Sequence, residues 1–288
     1  MVVHSIKLII SMAIFGSIGF FTIQTGIPAI ELVFVRCICA TVFLIGIWAL
    51  IGGAKKEQWN KQDIIRTAIC GIFLVLNWVF LFKAFEAMSI SIAISIYNLA
   101  PIFVLLFGSI WLKERLTWQN LTAVIICFIG SILIIGLQQM TSLDAWLSNG
   151  VLWAFLSAIC YAATMLTSRT IQKLSSYSVT FIQTTVGIVM LWPFCDFTVF
   201  DGLTTTNWLF ILATGLVHTG VVYILFFESV RYLPAIVVSV LVFVDPVVAI
   251  LLDMVILSFI PSVQQWLGIA LIFGAILYVA LRPNGVQT

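Results

Sequence analysis

Residues 234–257 read PAIVVSVLVFVDPVVAILLDMVIL, an apolar stretch interrupted by Ser239, Asp245, Pro246 and Asp253. A hydrocarbon core about 30 Å thick is crossed by a helix of about 20 residues. This stretch has that length and presents apolar side chains on every helical face. Ten such runs are present, at approximately 6–24, 30–52, 64–86, 89–112, 118–137, 149–169, 177–196, 207–229, 234–257 and 263–282. Strands of a transmembrane barrel would be about ten residues long and alternate in polarity, so the expected fold class is all-α integral membrane with ten transmembrane helices. Composition agrees: 62% of the 288 residues are hydrophobic and 8% charged, against about half and a quarter in a soluble domain. The longest connections, 53–63 and 138–148, leave no room for a soluble domain. Lys7 gives the first run the basic flank of a signal peptide, but residues 19–24 offer no small-x-small cleavage site, so it reads as an uncleaved helix.

Charges fix the expected orientation. Lys7, then Lys55, Lys56, Lys61 and Arg66, then Lys113 and Arg115, then Arg169 and Lys173, then Arg231 and Arg282 fall at alternate ends of successive runs. The opposite ends carry Glu31, Asp144, Asp196 and Asp201, with Lys83 beside Glu86. The positive-inside rule therefore predicts a multi-pass inner-membrane protein with both termini cytoplasmic. The net charge of +2 is topogenic, and no basic patch points to nucleic acid. The six cysteines, Cys37, Cys39, Cys70, Cys127, Cys160 and Cys195, lie inside runs without metal-type spacing and read as small packing residues.

An odd number of crossings per half sets the two halves in opposite orientations. Placing Pro101 on Pro246 puts Lys83 on Glu228 and Glu86 on Arg231, each pair three residues apart with the signs exchanged. With a one-residue gap, Gly130 falls on Gly274. The pattern predicts two inverted five-helix repeats, residues 1–140 and 141–288, an architecture common among secondary transporters.

Phe15-Gly16-Ser17, Arg36, Ala100-Pro101, Lys113-Glu114-Arg115-Leu116 and Gly130, in this order and spacing, resemble the EamA type of the drug/metabolite transporter superfamily over nearly the whole chain. The resemblance implies ten helices in two repeats, a central substrate cavity, and traffic in amino acids or other small metabolites, often outward. The second half departs from the pattern, with Phe259 at the position of Glu114, Gln183 at that of Arg36, and Tyr161-Ala162 where an aromatic and a small residue are usual.

Ionisable groups at bilayer depth are costly and are therefore candidates for function. Asp245 lies near the middle of its run, and Pro246 is expected to kink the helix by clashing with the carbonyl of Val242, leaving polar backbone free beside a carboxylate. Asp253, about two turns further on, reads as a gate residue or an interfacial one. Arg36 needs an acidic side chain, freed carbonyls or a substrate carboxylate, or else it snorkels outward. His218, at mid-run, suits a proton relay with Asp245 as a conceivable partner, or a hydrogen-bonded structural role. Asn77, Trp78, Tyr97, Asn98, Tyr161, Thr164, Gln183 and Tyr223 share comparable depth. Neighbours point about 100° apart, so at most one of Asn77 and Trp78, and at most one of Tyr97 and Asn98, is expected to face a cavity squarely. Convergence of Trp78, Tyr97 and Tyr161 near Asp245 would suit an ammonium group. Gly16, Gly19, Gly130, Gly268 and Gly274 are expected at tight helix contacts.

These features predict a non-enzymatic secondary transporter of a small organic metabolite such as an amino acid or amine, working by alternating access and coupled to protons, with export one of two directions left open. Its expected partners are the solute, protons and membrane lipid, as a monomer or homodimer, and no cofactor or metal is implied. Asp245, His218, Arg36, Trp78, Tyr97, Asn98, Tyr161 and Asn77 form the candidate site. Rival readings are a channel or receptor, which would want continuous polar rings, and a lipid-modifying enzyme, which would want a His/Asp cluster where the chain offers only His4 and His218. No Walker loop, GxSxG elbow or HExxH motif is present.

Overall fold

A computed structural model describes residues 2–50, 57–88, 90–111, 117–135, 149–256 and 260–280. Among these there is no strand. The helices are α1 (Val2–Phe15), α2 (Ile18–Thr25), α3 (Ala29–Leu50), α4 (Lys61–Ala87), α5 (Ile90–Tyr97), α6 (Ala100–Trp111), α7 (Trp118–Ile135), α8 (Asn149–Ser168) and α9 (Ser176–Leu191). Two 3₁₀ turns (Trp192–Phe194 and Phe197–Phe200) lead to α10 (Thr205–Gly215), which continues through a π-helical turn (Leu216–Val221) into α11 (Val222–Tyr232). Then follow α12 (Ala235–Leu241), α13 (Val244–Ile256) and α14 (Val263–Ala280). Seven helical stretches among the described residues are long and apolar enough to cross a membrane: Val2–Thr25, Ala29–Leu50, Lys61–Ala87, Gly150–Ser168, Ser176–Phe194, Thr205–Tyr232 and Ala235–Leu252. Three shorter apolar helices are Ala100–Trp111, Trp118–Ile134 and Val263–Val279.

Helix ends are set by local polar chemistry. The Asn60 side chain accepts from the backbone N–H groups of Gln62 and Asp63, and Ser175 accepts from Ser178 N–H. Thr204 and Asn207 form a reciprocal capping box at the start of α10, satisfying N–H groups that an apolar surrounding would leave bare. Gly26, at φ 69°, closes α2 in the left-handed region that only glycine enters cheaply. At the acidic end of the molecule the Asp196 carboxylate accepts from the Thr198 hydroxyl and N–H at 2.7 and 2.9 Å, which holds it below the ordinary carboxylate range.

The helices interleave the two halves of the chain. α4 packs along α8 and α9, α3 along α9 and the π-turn, α1 along α11 and α13, α6 along α8 and α12, and α7 along α14. Two backbones meet closely at the α7–α14 seam: a Cβ built at Gly130 would fall 2.7 Å from the Gly268 carbonyl oxygen, and one at Gly268 2.5 Å from that of Gly130. Gly274, also expected at a tight contact, instead has nothing within 4 Å of its would-be Cβ. Gly130→Ala should therefore destabilise by about 1–3 kcal/mol even after a helix-propensity gain of about 1 kcal/mol, because backbone cannot step aside. Gly274→Ala should be neutral or mildly stabilising. Thermal unfolding of the purified variants decides it, and equal melting temperatures would refute the packing argument.

The charge pairs used to align the halves do not pair within themselves. Glu228 instead receives Lys7 Nζ at 2.5 Å from α1, Glu86 accepts from Ala29 N–H at 2.8 Å at the start of α3, and Lys83 lies 5.5 Å over the Trp153 ring. Three of the four thus meet another helix rather than their i,i+3 neighbour, Glu228 through an opposite charge, Glu86 through a backbone N–H and Lys83 through an aromatic face. Lys55, Lys56, Lys113, Glu114, Arg115, Asp144, Phe259 and Arg282 lie outside the described residues.

Candidate functional site

Three helical stretches are interrupted partway along their length: α1/α2 at Gly16-Ser17, α5/α6 at Asn98-Leu99 and α12/α13 at Val242-Phe243. The last follows the logic of proline. Pro246 has no N–H to offer the Val242 carbonyl, and that oxygen accepts from Asp245 N–H at 3.1 Å instead, a tighter turn that ends α12 and restarts the chain as α13. Asp245 thus stands in the first turn of α13, where the helix dipole favours an anion. The α1/α2 break lies against it: a Cβ at Gly16 would fall 2.8 Å from the Asp245 carbonyl oxygen, so only glycine lets the two interruptions touch.

Between these breaks lies a cavity of about 60 Å³, room for a few waters. Asp245, Arg36, Asn77, Trp78, Tyr97, Tyr161 and Tyr223 supply its polar and aromatic wall, and Met12, Phe15, Leu81, Phe82 and Val242 are among its apolar lining. The aromatic groups hold one another. Trp78 Nε1 donates to Tyr223 Oη at 2.6 Å, Tyr97 and Tyr161 meet at 5.3 Å between ring centroids, and Phe15 stands edge-on to Tyr223 at 5.1 Å. Asn77 is tied to α8, its Nδ2 donating to the Ser157 carbonyl at 3.0 Å and the Ser157 hydroxyl at 2.9 Å.

Arg36 is only 2% exposed. It does not snorkel: Nε donates to Thr219 Oγ1 at 2.7 Å, Nη2 donates to the His218 carbonyl at 3.2 Å, and the guanidinium lies 4.5 Å from the Trp78 ring centroid and 5.6 Å from that of Phe82. A carbonyl in the π-turn and two aromatic faces thus take the place of an acidic partner. The Asp245 carboxylate accepts no hydrogen bond and joins no ion pair among the described residues. Opposite charges therefore line one small cavity without touching.

Six of the candidate residues meet at this cavity: Asp245, Arg36, Trp78, Tyr97, Tyr161 and Asn77. Asn77 and Trp78 both line it, Trp78 bonded to Tyr223 and laid against Arg36, Asn77 held by its bonds to Ser157. Asn98 turns the other way and donates to Ser131 Oγ at 2.5 Å, as the 100° offset from Tyr97 requires. His218 is not Asp245's partner. The π-turn aims its ring at the α1/α2 break, where Nε2 lies 2.8 Å from Ser17 Oγ and the ring packs 4.7 Å from that of Phe21. The side chain of Asp253 lies outside the described residues. Tyr223, Phe15 and Phe82 are cavity residues that were not among the candidates. For Tyr223 the signal was present in its polar depth, but a helical wheel drawn through His218 is thrown off by the π-turn.

Comparison with known proteins gives this geometry a context. The chain is 49% identical over 280 residues to the uncharacterized transporter YxxF of Bacillus subtilis (strain 168), covering 97% of this chain and 90% of that protein. It is 24% identical over 195 residues to the pseudopaline exporter CntI of Pseudomonas aeruginosa (strain UCBPP-PA14), covering 66% and 65% of the two chains. A solved crystal structure of 18% sequence identity superposes with a TM-score of 0.80 over 96% of this chain and 97% of its own, which shows a shared fold. The model of the EamA-like transporter family matches residues 5–136 and again 148–281, and the chain belongs to that family of membrane transporters.

Proposed function

We propose that the chain is a proton-coupled secondary transporter that exports a small organic metabolite bearing an ammonium group, an amino acid or an amine, by alternating access. One observation carries this reading: a carboxylate, Asp245, without a hydrogen-bond or ion-pair partner among the described residues, on the wall of an aromatic cavity between interrupted helices. An anion flanked by π faces suits a solute cation, and equally a proton when the solute is absent. Metabolite pockets usually occupy about 300–1,000 Å³, so a cavity of about 60 Å³ supports a contracted state that must open to load. The exporter among the relatives supports the outward direction.

The scaffold on this reading has ten crossings in two inverted repeats, 1–140 and 141–288, with both termini in the cytoplasm of an inner-membrane protein. The packing supports it. Under exchange of the halves, α4 against α8 becomes α11 against α1, α4 against α9 becomes the π-turn against α3, and α6 against α8 becomes α13 against α1, all of them close pairs. The interruptions α5/α6 and α12/α13 fall at equivalent places, where broken helices of transporters bind solute.

Counterflow tests the carrier. A panel of amino acids and amines is first screened for thermal stabilisation of the purified protein, which a specific ligand at a hundredfold excess over Kd raises by about 2.7 kcal/mol. The best stabiliser is then loaded unlabelled into proteoliposomes, and labelled solute outside should accumulate transiently above equilibrium. Simple equilibration without overshoot would mark a channel, and a panel without any stabiliser would remove the substrate class.

A further inference from the structure

At the basic end of the molecule a second pocket, of about 430 Å³, opens between the end of α3, residues 57–58, the loop before α9 and the end of α11. This is the size of a ligand site, and it shares no lining residue with the cavity at Asp245. Its charged lining is Lys173, Arg231 and Glu57. Glu57 is already engaged: it accepts from Ser175 N–H at 2.8 Å, from the Ser175 hydroxyl at 2.5 Å and from the Ser178 hydroxyl, so its charge is offset by the N-terminus of α9. The two cations are not. Glu228, one turn before Arg231 on α11, is taken by Lys7, and Arg231 is left with a buried Nε lacking any hydrogen-bond acceptor among the described residues. The Lys173 ammonium has no partner there either; only its backbone N–H is held, by Asp63. A partly buried guanidinium and an ammonium facing one roomy pocket call for an anion with several oxygens.

The pocket does not stop at polar groups. Trp48 and Tyr177 close its membrane side, packing with Leu44, Ser178 and Phe181 around a crevice of only about 10 Å³ between α3 and α9. Trp48 stacks on Phe181 at 6.3 Å, and Val42 and Ile45 of the same helix point outward at 64% and 49% exposure. A phosphate site beside the exposed apolar face of a membrane-spanning helix has the two-part chemistry of a phospholipid. We propose that this pocket binds the phosphate headgroup of an anionic phospholipid, its acyl chains lying along the exposed apolar face of α3 beside it. Because α3 and α9 belong to different halves of the chain, the bound lipid clasps the halves together at this end. The site is independent of what the central cavity carries.

The test uses the full chain, delipidated in neutral detergent, with phosphatidylglycerol, phosphatidylcholine or inorganic phosphate added, and reads bound lipid by native mass spectrometry and the melting temperature. Phosphatidylglycerol should bind in preference to phosphatidylcholine and raise the melting temperature, and inorganic phosphate should not substitute. Juxtamembrane cations contribute about 1 kcal/mol each toward anionic lipid, so Lys173→Gln and Arg231→Gln should each weaken phosphatidylglycerol about fivefold and leave phosphatidylcholine unchanged. Arg231→Lys, which keeps the charge, should retain most of the binding and serves if the Gln variants fold poorly. Equal binding of the two lipids by the wild type, or undiminished phosphatidylglycerol binding in the folded Gln variants, would overturn the proposal. Stabilisation by phosphate equal to that by phosphatidylglycerol would also overturn it, in favour of a soluble anion.

Discussion

Asp245→Asn is expected to cut gradient-driven transport in proteoliposomes by at least about 30-fold while leaving the melting temperature unchanged or slightly raised. The transport loss follows from removing a charge partner in a water-poor cavity, where truncating one member of a pair costs about 2–5 kcal/mol or more. The indifference of the fold follows from geometry. Asn is nearly isosteric with Asp, and the wild-type carboxylate forms no hydrogen bond or ion pair among the described residues that the variant would lose. Removing a desolvated charge instead relieves a penalty. The pairing of outcomes is the informative part, since a structural carboxylate would show the reverse, a lower melting temperature with transport reduced in proportion. Undiminished uptake by the folded variant would remove Asp245 from the mechanism.

Arg36 should separate stability from function in a different way. Its guanidinium is buried, bonded to Thr219 Oγ1 and the His218 carbonyl, and laid on Trp78. Arg36→Met keeps much of the volume of the stem and its aromatic contacts while deleting a desolvated charge without an acidic partner among the described residues, a relief that offsets the lost hydrogen bonds to Thr219 and the His218 carbonyl. The expected result is a melting temperature at or above wild type with transport abolished. Arg36→Ala opens a void under Trp78 and should lower stability by about 2–5 kcal/mol. Arg36→Lys holds the charge but lacks the planar fork that reaches two acceptors at once, so it should lose most transport with a modest stability cost. Thermal unfolding and counterflow on the same preparations check all three. If Arg36→Met destabilises as much as Arg36→Ala, the charge is there for the fold.

Much of this was legible from residues 234–257 and their counterparts, because a bilayer imposes one strong rule: about 20 apolar residues, every backbone group satisfied within the helix. That rule locates helices well. Contacts between helices obey weaker rules, and there the reading slipped. The spacing of Glu228 and Arg231 says they share a face, yet nothing in α11 says that Lys7 of α1 will take the glutamate. Pro246 announces its break openly, since the missing N–H is a covalent fact. The break at Asn98-Leu99 is also foreshadowed by Pro101, whereas that at Gly16-Ser17 depends on how closely α13 approaches. Depth alone gathered Asp245, Arg36, Trp78, Tyr97, Tyr161 and Asn77 into one set, and all six line the cavity. Direction was the harder quantity, and His218 and Asn98, at the right depth, face elsewhere.

The reason for the His218 miss reaches beyond that residue. An α-helix advances about 100° per residue, and a π-turn accommodates one residue more than an α-turn, so everything after Leu216–Val221 is rotated by about one residue's worth relative to everything before it. Thr205–Tyr232 is in effect two helical wheels joined out of phase, and α4, which runs as plain α-helix from Lys61 to Ala87, is one. On the two-repeat reading, the register that sets Lys83 against Glu228 holds only beyond the turn, and ahead of it the match must move by one residue. The π-turn is thus a length difference between the repeats as well as a local geometry, hidden inside a span that shows no loop.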